Sequence, residues 1–243
     1  MALARPIPAP AEEPLRLVSP SISPGFARRA LDIAVASIAL VILAVPMFLV
    51  AIAIRLDSRG PSMYRQRRIG QGERPFGLIK FRTMVAGSEG SLLTVPGDPR
   101  ITRLGRILRA TAIDELPQLI NILIGHMTLI GPRPQTPGFA ARYPTELREI
   151  FRYRPGLAGP GVIHLNDDDV LPEDAADVED WYLENVIPAR VDLDLEYLRD
   201  PTLRRTVGLM VETLVRVPRR LLGADAVDGP PLVDPVPSEQ EAS

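Results

Sequence analysis

The stretch Ile33–Ile54 reads IAVASIALVILAVPMFLVAIAI, 22 residues without one charge. Roughly 20 consecutive apolar residues span the hydrocarbon core of a bilayer, so a membrane segment is predicted; the alternative is a helix buried in a soluble core. Pro46 falls in the middle of the run. It lacks an N–H, and its ring crowds the preceding turn, which predicts a bend there. Arginines stand on both sides, Arg28 and Arg29 before the run and Arg55, Arg59, Arg65, Arg67 and Arg68 after it. A straight span concentrates positive charge on its cytoplasmic side, whereas two basic flanks suit a segment that enters and leaves through one leaflet. The arms on either side of Pro46 have 13 and 8 residues. At about 1.5 Å per residue they reach roughly 20 and 12 Å, short of a core near 30 Å. A single straight span is the competing topology.

Outward from that segment the composition narrows the chemistry. The chain has no cysteine and two histidines, His126 and His164, so thiolate sites are excluded and any metal is expected on carboxylates, as for Mg²⁺. The net charge of −2 conceals a division: residues 55–154 carry +9 and residues 155–243 carry −12. Either the halves neutralise each other, or the basic half faces phosphates or lipid headgroups. Nucleic acid is not expected, because no aromatic residues interleave the cations. Of 28 basic residues only Lys80 is a lysine. An ammonium is a compact charge that fits against a phosphate where a planar guanidinium does not, so Lys80 is a candidate phosphate ligand.

Residues 1–24 hold six prolines and no apolar period, and the stretch from Gly223 onward is acidic and proline-rich. Both are expected to be disordered. Between them, Pro75–Met84 suits a short strand. Asp98–Ala110 suits a basic amphipathic helix with Ile101, Leu104, Ile107 and Leu108 on one face. Ile113–Ile124 has helical spacing, and two more helices are expected near Glu179–Tyr197 and Thr202–Val217. The last of these, with Leu203, Val207, Leu214 and Val217 among arginines including Arg219 and Arg220, reads as an interfacial helix or as one packed on the core. Loops should dominate between Gly131 and Gly161, where Pro and Gly abound. Asp167–Asp169 reads as a solvated loop.

Chemistry concentrates at Ala112-Ile-Asp-Glu-Leu-Pro-Gln-Leu119. Pro117 is tolerated only in a first helical turn, so Asp114 and Glu115 are expected at a helix N-terminus, where the dipole favours anions. An ordinary acidic cap is the simpler reading of those residues alone. Cations accompany them: Lys80 and Arg82 two residues apart, Arg133 clamped in Gly131-Pro-Arg-Pro134, and Arg154 in Arg154-Pro-Gly156. Carboxylates among such cations make sense around Mg²⁺ and a diphosphate.

The segments YRQRRIG (Tyr64–Gly70), KFRTM (Lys80–Met84), DELPQLINIL (Asp114–Leu123), MTLIGPRP (Met127–Pro134) and RPGL (Arg154–Leu157) occur in this order. Together they resemble the bacterial sugar transferase family, the monotopic phosphoglycosyl transferases, over about residues 28–217. That resemblance implies an α+β, mostly helical fold: a re-entrant membrane helix broken at Pro46, and a catalytic domain on the membrane surface with interfacial amphipathic helices. The expected division is a leader to residue 26, the membrane helix at 27–58, the cytoplasmic transferase domain at 59–222 and a tail at 223–243. It implies transfer of a sugar-1-phosphate from a nucleotide sugar, UDP-linked by expectation, to polyprenyl (undecaprenyl) phosphate at the bacterial inner membrane, at the start of glycan assembly. Asp114 is then the nucleophile, Glu115 and Asp194 (in Asp194-Leu-Glu-Tyr197) hold Mg²⁺, and Lys80, Arg82, Arg133 and Arg154 bind substrate. The implied partners are the nucleotide sugar, polyprenyl phosphate and the lipid bilayer; a homodimer is admitted. A membrane-anchored scaffold of the same fold without turnover is the rival. Three positions depart from the family pattern: His126 where an aspartate is common, Val45 where some members carry serine, and the loop Leu157–Val162.

Overall fold

The computed structural model describes residues 22–85, 98–165 and 178–221. Helix α1 (Phe26–Asp57) contains the whole apolar run and continues through Pro46. Its buried residues Arg28, Asp32, Ala36, Met47 and Ile54, with Leu40 and Leu43 packed partly against the core, recur at helical spacing and form one stripe along its length. Val35 and Val50 pack partly beside this stripe, while Ile38, Val41, Ile42, Val45, Phe48 and Leu49 are exposed. The helix therefore lies lengthwise on the rest of the chain and presents its other faces outward.

Both ends of α1 are fastened to the same body. At the start, Arg28 donates to Ile130 O at 3.0 Å, and Arg29 donates to Ile122 O and Leu123 O at 2.7 and 3.0 Å. Asp32, 2% exposed, accepts from Thr128 Oγ1 at 2.8 Å and from Leu129 N at 3.0 Å. At the far end Arg82 donates to Ser58 O at 2.8 Å and Arg59 O at 2.6 Å, and reaches Ile54 O at 3.4 Å. Ile54 O also accepts from Ser58 N at 3.1 Å, whereas the Ser58 and Arg59 carbonyls lie past the last helical turn, where a guanidinium satisfies them well.

Strands β1 (Met63–Ile69) and β2 (Pro75–Phe81) form an antiparallel hairpin in which Tyr64 faces Lys80 and Arg67 faces Gly77. Helix α2 (Arg103–Ala110) starts where Thr102 Oγ1 accepts from Gly105 N at 2.9 Å. Its expected start at Asp98 is too early, because Asp98 binds the Arg100 backbone and side chain in a turn and Ile101 bridges to Met84. Ile107, 60% exposed, also leaves the predicted apolar face. The helix expected over Ile113–Ile124 divides into a 3₁₀ turn (Ile113–Glu115) and α3 (Gln118–Ile124), with Pro117 capping the latter. Gly125, φ 96°, ends α3 in the left-handed conformation that glycine allows.

Strands β3 (Thr128–Ile130) and β4 (Gly156–Ala158) pair in parallel. Between them lie α4 (Pro137–Ala141) and a 3₁₀ stretch (Thr145–Arg152), so this Pro- and Gly-rich region is more ordered than its composition suggests. Helix α5 (Pro160–His164) follows. The helix expected near Glu179–Tyr197 is two, α6 (Val178–Asn185) and α7 (Ile187–Arg199), and α8 (Leu203–Leu221) ends the described chain. The main core gathers Leu78, Leu119, Ile122, Met127, Ile130, Phe139, Phe151, Val186 and Tyr197. A smaller cluster joins Met47 and Ile54 of α1 to Phe81 and Leu108, with Ile113 and Leu116 against it.

The leader's last residues are tied down: Ile22 N donates to Arg152 O at 3.0 Å. The rest of the leader, the acidic tail, Asp167–Asp169 and the side chains of Arg219 and Arg220 lie outside the described residues.

Candidate active site

The 3₁₀ turn holding Asp114 and Glu115 is placed from three directions. Ala112 before it takes φ 54°, a left-handed conformation rare for a residue with a Cβ, which turns the chain sharply out of α2. Ile113 and Leu116 on either side of the pair pack into the cluster containing Met47, next to Pro46 of α1. On the third side Asn121, 1% exposed, grips β2 through its amide: Nδ2 donates to Gly77 O at 2.8 Å, and Oδ1 accepts from Ile79 N at 3.0 Å. This double bond substitutes for a neighbouring strand and fixes β2 against α3, one residue from Lys80.

Lys80 consequently meets Glu115, with Nζ 2.7 Å from Oε1. Arg133, delivered by Gly131-Pro-Arg-Pro134, stands 3.5 Å from the same oxygen. The loop carrying it is pinned by close backbone passage: Gly131 N donates to Ala158 O and Gly156 N to Pro132 O, at 2.8 and 2.9 Å. A Cβ on Gly131 would stand 2.7 Å from Arg154 O, so only glycine permits this approach.

The neighbouring carboxyls are driven apart electrostatically. Burial pushes Asp114 up to about 6, with the Glu115 charge adding to the effect while Lys80, Arg109 and Arg133 oppose it. Burial would raise Glu115 as well, but Lys80 and Arg133 outweigh it and hold this group at about 2. Glu115 thus absorbs the cations, and Asp114, 7% exposed, remains a carboxylate with no ion pair among the described residues. Such a group is a poorly solvated oxygen nucleophile beside cations able to hold phosphate oxygens.

The remaining expected site residues lie elsewhere. Arg82, 6% exposed, is spent on the end of α1. Arg154 is half-buried, and its guanidinium is shifted down by burial and by Arg29, with Asp32 opposing; its charged neighbours belong to α1. Asp194 sits on α7 behind the Gly131–Pro134 segment and accepts from Gly161 N at 2.9 Å. Burial raises it to about 6, with the Gly161 N–H and Arg190 opposing. Gly159 and Gly161 of the divergent loop wrap closely around this carboxylate, since a Cβ on either would lie 3.0 to 3.1 Å from its oxygens.

Two contributors were not anticipated. Arg109, held by Thr83 Oγ1 at 2.9 Å, lowers Asp114. Its place in a run of similar arginines hid it. Asn121 could have been noticed as a lone amide among Leu119, Ile120, Ile122 and Leu123.

No three metal-binding side chains converge among the described residues. Both cations occupy Oε1 of Glu115, which leaves Oε2 and the Asp114 carboxylate on offer. That donor set fits Mg²⁺, which commonly takes one or two carboxylates and completes its shell with water and substrate phosphate.

The site is a carboxylate pair, Asp114 buried and Glu115 partly so, among cations and near a long apolar helix. The profile of the bacterial sugar transferase family matches residues 24–220, and the chain belongs to that family. Among named relatives, the UDP-glucose:undecaprenyl-phosphate glucose-1-phosphate transferase of Caulobacter vibrioides is 35% identical over 201 residues, covering 80% of this chain and 71% of that protein. The UDP-N-acetylgalactosamine-undecaprenyl-phosphate N-acetylgalactosaminephosphotransferase of Aeromonas hydrophila is 35% identical, covering 84% of this chain and 46% of that protein. The undecaprenyl-phosphate glucose phosphotransferase of Komagataeibacter xylinus is 36% identical, with 78% and 35% covered. This chain thus spans under half the length of the last two.

Proposed function

We propose that this chain transfers a sugar-1-phosphate from a UDP-sugar to undecaprenyl phosphate by double displacement. An Asp114 carboxylate oxygen attacks the phosphorus that bears the sugar. The bond to the second phosphate breaks, and UMP leaves. A phosphate oxygen of the lipid then attacks the same phosphorus, the acyl phosphate bond breaks, and Asp114 is regenerated with release of lipid diphosphate-sugar. Lys80 and Arg133 hold the oxygens of the transferring group, where charge builds up. Arg109, on the side of the pair that meets α1 through α2, is suited to the incoming lipid phosphate. Glu115 Oε2, with Asp114, would hold Mg²⁺, which supplies further charge neutralisation on the diphosphate.

The membrane placement belongs to the same reading. α1 is taken to be re-entrant, with both ends and the catalytic pair on the cytoplasmic face of the inner membrane. The fastening of both helix ends to one body supports this, because a span would put them on opposite sides. The apolar face of α8, with Val207, Val211 and Leu214 exposed, is taken to rest at the interface.

The single observation that carries the reaction is the separation of Asp114 from Glu115 by the cations on Glu115. Purified chain in detergent with undecaprenyl phosphate and Mg²⁺ should release UMP from at least one of UDP-glucose, UDP-galactose and UDP-N-acetylgalactosamine. Asp114→Asn should not. Release from none, or equal release by the variant, would remove the proposal.

A further inference from the structure

The β1–β2 hairpin is two-faced. Lys80 and its partner Tyr64 occupy one face, and Arg65 and Arg67 project from the other by strand alternation. At the Pro75–Gly77 end of the hairpin an open groove is lined by Arg65, Arg67, Pro75 and Gly77 from that second face, and by His126 and the largely buried Phe76, which reaches it from the Lys80 side. Arg65 is laid flat on the strand: any side chain at Gly77 would run into its guanidinium. The His126 ring is held against Phe76, with centroids 5.5 Å apart. Nitrogen donors and an apolar wall therefore converge on one hollow.

The position of this hollow relative to α1 indicates what fills it. His126 follows Gly125, whose Cβ position lies 3.5 Å from the Arg29 guanidinium. Arg29 stands four residues before the apolar run begins at Ile33, and Phe26 beside it is 91% exposed. Cations and aromatic residues at the edge of an apolar helix sit at headgroup level. The groove sits beside that edge.

We infer that the groove is a binding site for the phosphodiester of an anionic phospholipid, with Arg65, Arg67 and His126 on the phosphate and Phe76 and Pro75 against the glycerol end. This goes beyond the proposed reaction and rests on that reading only for the membrane placement of α1. Occupied, the site fixes the hairpin to the lipid surface and so sets the height of Lys80, which the opposite face of the same strands presents to Glu115.

The test uses the full chain in maltoside micelles, titrated with short-chain phosphatidylglycerol or phosphatidylcholine and read by native mass spectrometry. Saturable retention of phosphatidylglycerol and not of phosphatidylcholine is expected. Arg65→Gln with Arg67→Gln should weaken it about 25-fold, about fivefold for each cation at roughly 1 kcal/mol. His126→Asp, which sets an anion in the groove, should weaken it further. Unaltered thermal unfolding of each variant would exclude a folding defect. Equal retention of both lipids, or unchanged phosphatidylglycerol retention in the variants, overturns the inference. Competition by inorganic phosphate at the concentration at which phosphatidylglycerol binds would make it a free-phosphate site and overturn it equally. Retention is scored without turnover, so this inference can fail while UMP release persists, and the reverse.

Discussion

Asp114 and Glu115 are neighbours in sequence with opposite electrostatic fates, and tests at the residue scale exploit that difference. In the folded chain burial lifts Asp114 from the ordinary carboxylate value of 3.8 to about 6. Folding therefore favours the protonated acid, and the cost of the carboxylate grows as the pH rises from about 4 and is complete above about 6. Two pKa units correspond to about 3 kcal/mol. We predict that Asp114→Asn abolishes transfer yet raises the unfolding free energy near pH 8 by up to about 3 kcal/mol, a gain that fades as pH falls towards 4. Denaturant titrations at the two pH values check this; a destabilised variant at pH 8 would mean the carboxylate is not desolvated. Glu115 has the opposite sign: held at about 2, below 4.5, it contributes stability above pH 4.5 that is lost as pH falls through 2. Lys80→Arg is predicted to lower kcat at least tenfold with charge preserved, because a planar fork replaces a point charge 2.7 Å from Glu115. Near-normal turnover in that variant would mean Lys80 is merely the one lysine in an arginine-rich chain. The lysine, the pair and Arg133 were legible from composition and motif alone. That Arg82 serves helix α1 was not, since a phosphate ligand and a helix cap need the same side chain and only the fold distinguishes them.

At the scale of elements, position depends on few contacts. Asn121 carries both bonds between α3 and the edge of β2. Asn121→Ala leaves a buried N–H and C=O unpaired, each worth about 1–3 kcal/mol. It should lower stability by about 2–4 kcal/mol and, at temperatures where the chain stays folded, reduce kcat more than it raises KM. An unchanged kcat in the folded variant would show that the catalytic pair and Lys80 do not need this clamp. Helix periods and Pro117 located α3, and the alternating short runs after the membrane segment located β2. What could not be read were the divisions: the break before Gln118 and the split at Val186 depend on tertiary packing, which overrides a continuous apolar period. The three-residue strands β3 and β4 carry too little pattern to see. Asp32, beside a 22-residue uncharged run, gave no hint that Thr128 and Leu129 would receive it.

For the whole molecule, the re-entrant topology and the covalent route stand or fall by separate measurements. The chain has no cysteine, so one placed at Ser19 reports the side on which the residues before α1 lie. We predict protection from an impermeant thiol reagent added outside intact cells, and labelling only after permeabilisation; labelling from outside would mean that α1 crosses. The apolar run and its two basic flanks made membrane association readable from sequence. The packing of α1 along the domain could not be read, because within the uncharged run the buried positions Ala36, Met47 and Ile54 are as apolar as the exposed ones. The most direct test concerns Asp114 itself: intact-protein mass spectrometry of the full chain incubated with Mg²⁺ and a UDP-sugar, with no lipid acceptor. A covalent sugar-phosphate adduct should appear, map by peptide fragmentation to Asp114, match the UMP released, and vanish when undecaprenyl phosphate is added. UMP release that requires the acceptor, with no adduct at any time, or an adduct on another residue, would contradict the double displacement at Asp114.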